Sequence, residues 1–357
     1  MNIVECTREF ERWLAAHTTL DHRDLERKHR LMAKKPFPFL RATFYRWLQL
    51  WPTVCPDLRH APCVLSVGDL HIENFGTWRD AEGRLVWGIN DFDEAAHLPY
   101  AADLVRLATS ALLAITDAGI MLKPTTACAR ILDGYRDGIK QGGKPFVLAE
   151  QNRFLRDIAV QELKDPEEFW KKMQNFDDAP KVPKEVVAVF EARMPRVKPK
   201  YRIVLRQAGL GARGHLRFVA IYELYGGLIA REAKALVPSA ANWVDHRHSP
   251  QILYDDILKN AVRDPDATFE IAGKWLLRRL APDCTKISIA ELPDRLNQER
   301  LLYCMGWETA NIHLGSRNAI ADVRKHLKHR KRDWLFAAAK QMTKAVRKDW
   351  KDWRAKS

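Results

Sequence analysis

The sequence lacks the features of several specialised classes of protein. Its six cysteines include no C-x-x-C pair, which argues against a zinc site or a disulfide framework. No apolar run approaches the ~20 residues of a membrane-spanning helix. The first residues include acids where a secretory signal would be basic, and there is no internal repeat. We therefore predict a cytoplasmic protein with buried, reduced cysteines.

Acidic residues are few relative to basic ones. With 59 Lys and Arg against 45 Asp and Glu, the 357-residue chain has a formal net charge of +14. The positive electrostatic field of such a chain attracts nucleotides, phosphorylated metabolites, nucleic acids or anionic lipids. Much of the excess lies near the C-terminus, for example in RKHLKHRKRDW. A solvated basic helix is the simplest interpretation; nucleic-acid binding is the alternative, although no recognition motif accompanies this segment.

Hydrophobic periodicity predicts an α+β fold divided into two lobes. Residues 1–195 read as a mainly helical large lobe, interrupted by short strands near 62–67 and 84–89. Residues 196–290 contain strand-like runs separated by glycines, which predicts a small antiparallel β lobe. Residues 291–357 read as helices that return to the large lobe and end in the basic helix.

The segment GDLHIENF places two chemically useful side chains directly after a predicted strand. Asp69 and Asn74 have D-x-x-x-x-N spacing. In kinase catalytic loops this spacing supplies a carboxylate that orients and deprotonates the acceptor hydroxyl, together with an amide oxygen that binds magnesium. The pattern is common by chance, so it carries weight only if other elements accompany it.

A second acidic cluster follows the next predicted strand. Asp91 and Asp93 lie in the segment INDFD, seventeen residues after Asn74. A carboxylate at the end of a second strand, facing the first loop, is what a magnesium-binding aspartate requires. The alternative is that both aspartates are turn or N-cap residues before a helix near Pro99.

Glycines between two later strand-like runs suggest a loop that covers phosphate groups. Gly209, Gly211 and Gly214 form a G-x-G-x-x-G pattern. A dinucleotide fold needs a helix after such glycines, whereas the β-branched and aromatic run that follows predicts a strand; a plain glycine turn is the alternative. On the next strand, Lys234 is predicted to pair with phosphates, and Arg231, on the opposite face, is its competitor.

The acidic partner of Lys234 is not evident from the sequence. Glu232, Asp255 and Asp256 are candidates, and none is favoured over the others.

The order of these motifs differs from that of ordinary kinases, in which the glycine loop precedes the catalytic loop. Here only 68 residues, which read as helices, precede Asp69, and Gly209 follows it much later. Either the motifs are coincidental or the fold is circularly permuted, which costs little when the termini lie close together. A helix over 301–316 would then lead toward the catalytic loop, and strand 274–280 would precede the hinge over adenine.

The motifs together resemble a bacterial family catalogued as domain of unknown function 2252, grouped with kinase-like and aminoglycoside-phosphotransferase-like folds. The matching segments are KHRLMAKKPFPFLR (28–41), GDLHIENFG (68–76), INDFDE (89–94), AGLGARGHLRF (208–218), AKALVPSA (233–240) and TANIHLGSRN (309–318). GDLHIENFG and INDFDE are also similar to the H-G-D-x-H-x-x-N and I-D-[FW] motifs of small-molecule phosphotransferases.

The resemblance implies a two-lobed, circularly permuted kinase-like fold and a supporting role for Asp103. In the similar phosphotransferases, the segment corresponding to LPYAADLVRL (98–107) carries an aspartate that braces the catalytic loop. The sequence departs from the pattern at Val67, where those enzymes often have histidine, and at Asp93, which replaces the glycine of kinases.

The leading hypothesis is an enzyme that uses ATP and magnesium to phosphorylate an unidentified acceptor, for which an anionic molecule is one candidate. Asp69 would orient the acceptor hydroxyl, and His71 or Arg41 would contact the acceptor. One alternative is a kinase relative that transfers AMP from a reversed nucleotide. Another is a non-enzymatic module that binds nucleotide, nucleic acid or a protein partner. All of these require the early acidic loop and the late lysine strand to face one cleft.

Overall fold

The computed structural model describes residues 1–117, 120–149, 151–195, 199–206, 216–245, 250–292 and 294–356. Helices predominate over strands. The helices are α1 (Ile3–Ala15), α2 (His22–Lys34), α3 (Pro36–Ala42), α4 (Phe44–Val54), α5 (Tyr100–Asp117), α6 (Pro124–Gln141), α7 (Arg153–Gln161), α8 (Pro166–Gln174), α9 (Lys184–Glu191), α10 (Ala240–Val244), α11 (Tyr254–Asn260), α12 (Arg295–His313), α13 (Ile320–Lys328) and α14 (Trp334–Arg354).

The described strands form three antiparallel sheets. They are β1 (Cys63–Ser66), β2 (Phe75–Arg79), β3 (Leu85–Ile89), β4 (Ala96–Pro99), β5 (Phe146–Val147), β6 (Tyr201–Leu205), β7 (Arg217–Leu224), β8 (Gly227–Ala235), β9 (Glu270–Ala272) and β10 (Trp275–Leu280). One sheet pairs β1 with β4, a second has the order β2-β3-β5, and the third has the order β6-β7-β8-β10-β9. We refer to the third as the five-stranded sheet.

One large apolar core contains helices that come before the five-stranded sheet in the sequence and helices that come after it. Helix α5 lies at its centre, and every residue from Tyr100 to Ala114 is buried. Helix α6 packs along α12 and also contacts α5 and α14. Local signals define its ends, because Pro124 occupies the first turn and Gly142, at φ +83°, caps the C-terminus.

Side chains along the strands of the five-stranded sheet alternate between its two faces, and apolar residues are buried on both faces. On β7, Phe218 and Ala220 pack with residues of α9, whereas Val219 and Ile221 point to the other face and pack near Phe169 of α8. We call the α8 side the inner face. The same alternation places charged residues of β7, β8 and β10 on that inner face, beyond the apolar area that α8 covers.

Two connections join the five-stranded sheet and β1 to the large core. The segment that follows β10 lies beside β2, and there the Thr77 N–H donates to the Thr285 carbonyl at 2.9 Å. At the end of α12, the Ser316 hydroxyl oxygen accepts from the Leu65 N–H at 2.8 Å. These contacts hold segments that are remote in the sequence beside the loop that leaves β1.

The predicted α+β architecture with small antiparallel sheets is confirmed, and several details are corrected. The short strands β4, β5 and β9 were not predicted. Cys63 is exposed rather than buried, although none of the six cysteines, all of which are described, forms a disulfide. In the described parts of the chain, no helix combines the length and apolar character needed to cross a bilayer.

Candidate functional site

The loop that leaves β1 is held in a conformation that requires glycine at its first position. Gly68 has φ +85°, and a Cβ built there would lie 2.1 Å from the carbonyl oxygen of Glu94. No L side chain fits that gap. The close approach joins the loop after β1 to the segment after β3, so that Asp69 and Asp91 emerge on the same side of the fold.

Helix α5 supports this loop through three buried polar side chains on one helical face. Asp103 accepts from the N–H groups of Val67 at 2.7 Å and Gly68 at 3.0 Å. Seven residues along α5 from Asp103, the Ser110 hydroxyl accepts from the Ile72 N–H at 3.1 Å. Asp103 also contacts Nε2 of buried His313 at 3.0 Å. The structure thus places Asp103 behind the loop, against its backbone.

Arg106 is the third polar side chain on that face of α5, and it anchors Asp69. Arg106 donates from Nε to Oδ1 of Asp69 at 2.8 Å, and its Nη2 donates both to the same oxygen and to the Leu40 carbonyl. The guanidinium lies about 5.0 Å from the rings of Phe44 and Trp47. Burial raises the pKa of Asp69 to about 6, against the opposing charge of Arg106. The carboxylate is therefore fixed in place and still able to exchange a proton near neutral pH.

His71 and Asn74 are bonded to each other's backbone within the loop. The Asn74 Oδ1 accepts from the His71 N–H at 2.8 Å, and the Asn74 N–H donates to the His71 carbonyl at 2.9 Å. The Nδ1 of His71 accepts from the Glu73 N–H at 3.1 Å, which leaves Nε2 to carry the proton. Burial, and next the charge of Arg41, lower the pKa of His71 well below its usual value. His71 is therefore a neutral imidazole that shapes the loop.

Arg41 contacts the same loop through Glu73. Its guanidinium donates to Glu73 at 2.5 Å and lies 5.9 Å from the ring of Phe37. Its Nε is buried and has no hydrogen-bond partner among the described residues.

Lys234 of β8 reaches the acidic cluster that follows β3. Its Nζ lies 3.0 Å from Oδ1 of Asp91 and also pairs with Asp93, although Lys234 and Asp91 are 143 positions apart. The lysine side chain is only 1% exposed. Burial alone would raise the pKa of Asp91, but the charges of Lys234, then Arg217 and Arg278, lower it. For Asp93, burial and the neighbouring Asp91 raise the pKa.

Glu94 links the same acidic segment to the chain beyond Lys234. Its Oε2 accepts from the Ser239 hydroxyl at 2.8 Å and from the Ala240 N–H at 2.7 Å. Burial raises the pKa of Glu94 to about 8. The contact holds the start of α10 against the loop that carries Asp91.

The acidic candidates for pairing with Lys234 do not contact it. Glu232 is buried and pairs instead with Arg206, Arg217 and Arg278. Asp255 pairs with Lys259 within α11. Lys234 pairs with Asp91 and Asp93 instead, and neither was proposed as its partner from the sequence.

The two acidic loops and several arginines line one cleft of about 510 Å³, a size within the ~300–1,000 Å³ typical of small-molecule sites. Buried Lys234 contacts the wall of this cleft through Asp91 but is not itself part of the lining. The predicted residues on its wall are Arg41, Asp69, His71, Asn74, Asp91 and Asp93. Arg231 lies on the other face of β8, opposite Arg279 in the register. Gly209, Gly211 and Gly214 lie outside the described residues.

The donor set fits a magnesium ion that is completed by a ligand. Among the described residues, no group of three or more His, Cys, Asp or Glu side chains is arranged to hold an ion. Magnesium characteristically binds one or two carboxylates and fills its remaining positions with phosphate oxygens and water. Oδ1 of Asp93 is buried without a hydrogen-bond partner among the described residues. Asp91, Asp93 and Asn74 therefore offer oxygen ligands but not a complete shell.

The fold and the cleft define a mixed α+β protein with a charged, ligand-sized site between a helical core and a five-stranded sheet. Residues 20–198 match the model of the domain of unknown function 2252 family, described as an uncharacterized protein conserved in bacteria. The chain belongs to that family. No curated protein and no solved structure matches it. The matched region includes Asp69, Asn74, Asp91 and Asp103, whereas Lys234 lies beyond it.

Sequence reasoning missed several residues that build the site. Arg106 and Ser110 had a readable signal, since they follow Asp103 at helical spacing in a strongly apolar segment. The arginines around Glu232 had no readable signal in the sequence, because their contacts depend on how three strands align. Lys286, which also lines the cleft, reaches it through the pairing of its segment with β2.

Proposed function

We propose that the protein is a phosphotransferase with a circularly permuted, two-lobed kinase-like fold, which uses ATP and magnesium. The large lobe comprises residues 1–195 with the returning helices of 291–357, and the small lobe comprises residues 196–290. The observation that carries the proposal is that Asp69, Asn74 and Asp91 line one cleft, and that Lys234, from a distant part of the chain, pairs with Asp91 at its wall.

The strand arrangement supports a nucleotide-binding role for the small lobe. The glycine-bearing connection joins β6 to β7, and Lys234 lies on the next strand, β8. The chain leaves β10 through Ala281 and Cys284, which line the cleft and connect the two proposed lobes. We infer that this segment serves as the hinge over adenine. The Leu65–Ser316 contact supports the permutation, because it sets the end of α12 beside the strand that leads into the loop of Asp69.

Each residue has a role that its surroundings allow. Asp69, held by Arg106, orients the acceptor hydroxyl and takes its proton on the carboxylate. Lys234 pairs with the phosphates, and Asp91 and Asn74 hold the metal with Asp93 beside them. A bound magnesium ion supplies neutralisation of the charge that develops between the β- and γ-phosphates. Arg41 and His71 face the acceptor side of Asp69.

The test is group transfer from ATP labelled at the α or the γ position, with magnesium and a bacterial small-molecule extract as the acceptor source. We expect transfer of the γ label, and we expect Asp69→Asn to abolish it while ATP binding is retained. The matched control is Asp133→Asn, which changes an exposed carboxylate on α6. Transfer of the α label would instead indicate AMP transfer. Equal loss of transfer and ATP affinity in Asp69→Asn would contradict the role of that residue.

A binding module without catalysis predicts a different result. Neither label would be transferred, and affinity for RNA with a steep salt dependence would survive both Asp69→Ala and Asp91→Ala.

A further inference from the structure

The inner face of the five-stranded sheet carries a cluster of one buried and two partly buried arginines that the roles above do not use. Alternation along the strands places Arg217 of β7, Glu232 and Lys234 of β8, and Arg278 of β10 on this face. Arg217 is opposite Lys234 in the register, and Arg278 is opposite Glu232. Arg206 joins them from the end of β6. The cluster lies directly beside the lysine that reaches Asp91.

One carboxylate cannot satisfy three guanidinium groups. Glu232, fully buried, accepts from Nε of Arg278 at 2.6 Å and also pairs closely with Arg206. Arg217 approaches the same carboxylate only to 3.5 Å, the limit of a hydrogen bond. Three positive charges therefore meet one negative charge. The cluster keeps an excess of two positive charges at the wall of the cleft.

Arg217 is the member whose hydrogen-bonding capacity is least used. Its side chain is only 5% exposed, and its Nε has no hydrogen-bond partner among the described residues. A buried, charged donor without an acceptor is costly, so such a group calls for a ligand to complete it. Arg217 and Arg206 both line the cleft, as does Arg278. All three arginines therefore border a space that a ligand can enter.

The chemistry of the missing acceptor follows from the donors. Guanidinium groups present forked N–H pairs that match phosphate oxygens bidentately, which an ammonium group cannot do. The charges of Arg217 and Arg278 also act on Asp91, the proposed metal ligand, so the cluster adjoins the place where phosphates would lie. An anion with several oxygens in a row would extend from the cluster toward the adjoining Lys234–Asp91 pair.

We propose that Arg206, Arg217 and Arg278, gathered by Glu232, bind the polyphosphate chain of the ligand directly, without the help of a metal. The inference rests on the proposed function for the nucleotide part of that ligand. The anion site itself does not depend on catalysis. A nucleoside triphosphate and inorganic tripolyphosphate both contain this polyphosphate chain, and the experiment below shows which of the two ligands the site binds.

The experiment is calorimetric titration of the full chain in EDTA with ATP, AMP, adenosine and tripolyphosphate. We expect ATP to bind at least about tenfold more tightly than AMP. We expect Arg217→Gln to weaken ATP binding by about tenfold or more, the loss typical of a hydrogen bond to a charged group, and to change AMP binding by less than about twofold. The matched control is Arg193→Gln, which removes an exposed guanidinium paired with Glu270 in the same region.

The outcomes distinguish this inference from the proposed function. If tripolyphosphate binds and Arg217→Gln abolishes that binding while adenosine adds nothing, the anion site stands and the nucleotide role fails. If Arg217→Gln binds ATP within twofold of the wild type, the inference fails and the phosphotransferase proposal is untouched. If Arg217→Gln does not fold, Arg206→Gln takes its place in the titration, because the Arg206 side chain is 28% exposed. The same loss of tenfold or more in ATP binding is then expected.

Discussion

Arg106 donates from Nε to Oδ1 of Asp69 at 2.8 Å, and the guanidinium that makes this contact is completely buried. Arg106 lies in the middle of α5, between Asp103 and Ser110, which hold the backbone on either side of Asp69. The orientation of the proposed catalytic carboxylate is therefore determined by a helix of the core.

Replacing Arg106 by methionine should destabilise the protein strongly. Removing one partner of a buried ion pair leaves the other charge uncompensated, at a cost of about 3–5 kcal/mol. The measurement is the free energy of unfolding in urea at pH 7. The control is Arg30→Met, because Arg30 forms an exposed pair with Glu26 and such pairs contribute at most about 1 kcal/mol. Equal losses in the two variants would show that the Asp69 contact does not anchor the loop.

Replacing Gly68 by alanine should destabilise the protein more than the same change at Gly83. Both glycines have positive φ, but an added Cβ meets the Glu94 carbonyl at 2.1 Å only at Gly68, whereas nothing lies within 4 Å at Gly83. Gly83→Ala therefore carries only the backbone cost of about 1–2 kcal/mol, and Gly68→Ala should lose at least about 2 kcal/mol more. Similar losses, measured by denaturant unfolding, would contradict the close approach of the two loops.

Phosphoryl transfer should become faster as the pH rises through about 6. Burial raises the pKa of Asp69 to about 6, and only the ionised carboxylate can accept the proton of the acceptor hydroxyl. The measurement is the dependence of kcat/KM for the acceptor on pH, with magnesium-bound ATP at saturation so that ionisation of free ATP does not contribute. An acidic limb that persists unchanged in Asp69→Glu, whose side chain is longer and differently placed, would assign the titration to another group.

Stability should decline between about pH 4.5 and pH 7 because of Glu308. Burial raises the pKa of Glu308 to about 7, above the 4.5 of an unperturbed side chain. In this range the folded state keeps a proton that the unfolded state has lost, so the free energy of unfolding falls as the pH rises. A shift of this size corresponds to roughly 3 kcal/mol. Glu308→Gln should show a shallower decline, and superimposable stability curves would refute the assignment.

Removing the metal should weaken ATP binding in the wild type but not in Asp91→Asn. Saturation with ATP at ~100 times Kd adds ~2.7 kcal/mol to the stability of the folded state, so thermal unfolding reports binding. We expect magnesium to increase the ATP-dependent shift of the wild type, and EDTA to reverse that increase. In Asp91→Asn the shift should be the same with and without magnesium. A variant that keeps the full magnesium effect would remove Asp91 from the proposed metal site.

Local sequence patterns were enough to identify the two acidic loops. Asp69 and Asn74 lie in one short segment after a buried strand, and Asp91 follows another, so residue spacing and strand signals carry the information. Helical spacing could also have revealed Arg106, three residues after Asp103. The partner of Lys234 could not be found in this way, because local spacing did not distinguish Glu232, Asp255 and Asp256. Glu232 is bonded to arginines instead.

The sequence by itself determined the α+β character, the helical and strand segments and the acidic loops, because these depend on residues close together in the chain. Only the tertiary structure decided that Lys234 meets Asp91 across 143 positions, and that Arg217 and Arg278 gather around Glu232. Those contacts depend on strand register and on the packing of the five-stranded sheet beside the helical core. Both arise from burial summed over many residues, and no short segment of the chain encodes them.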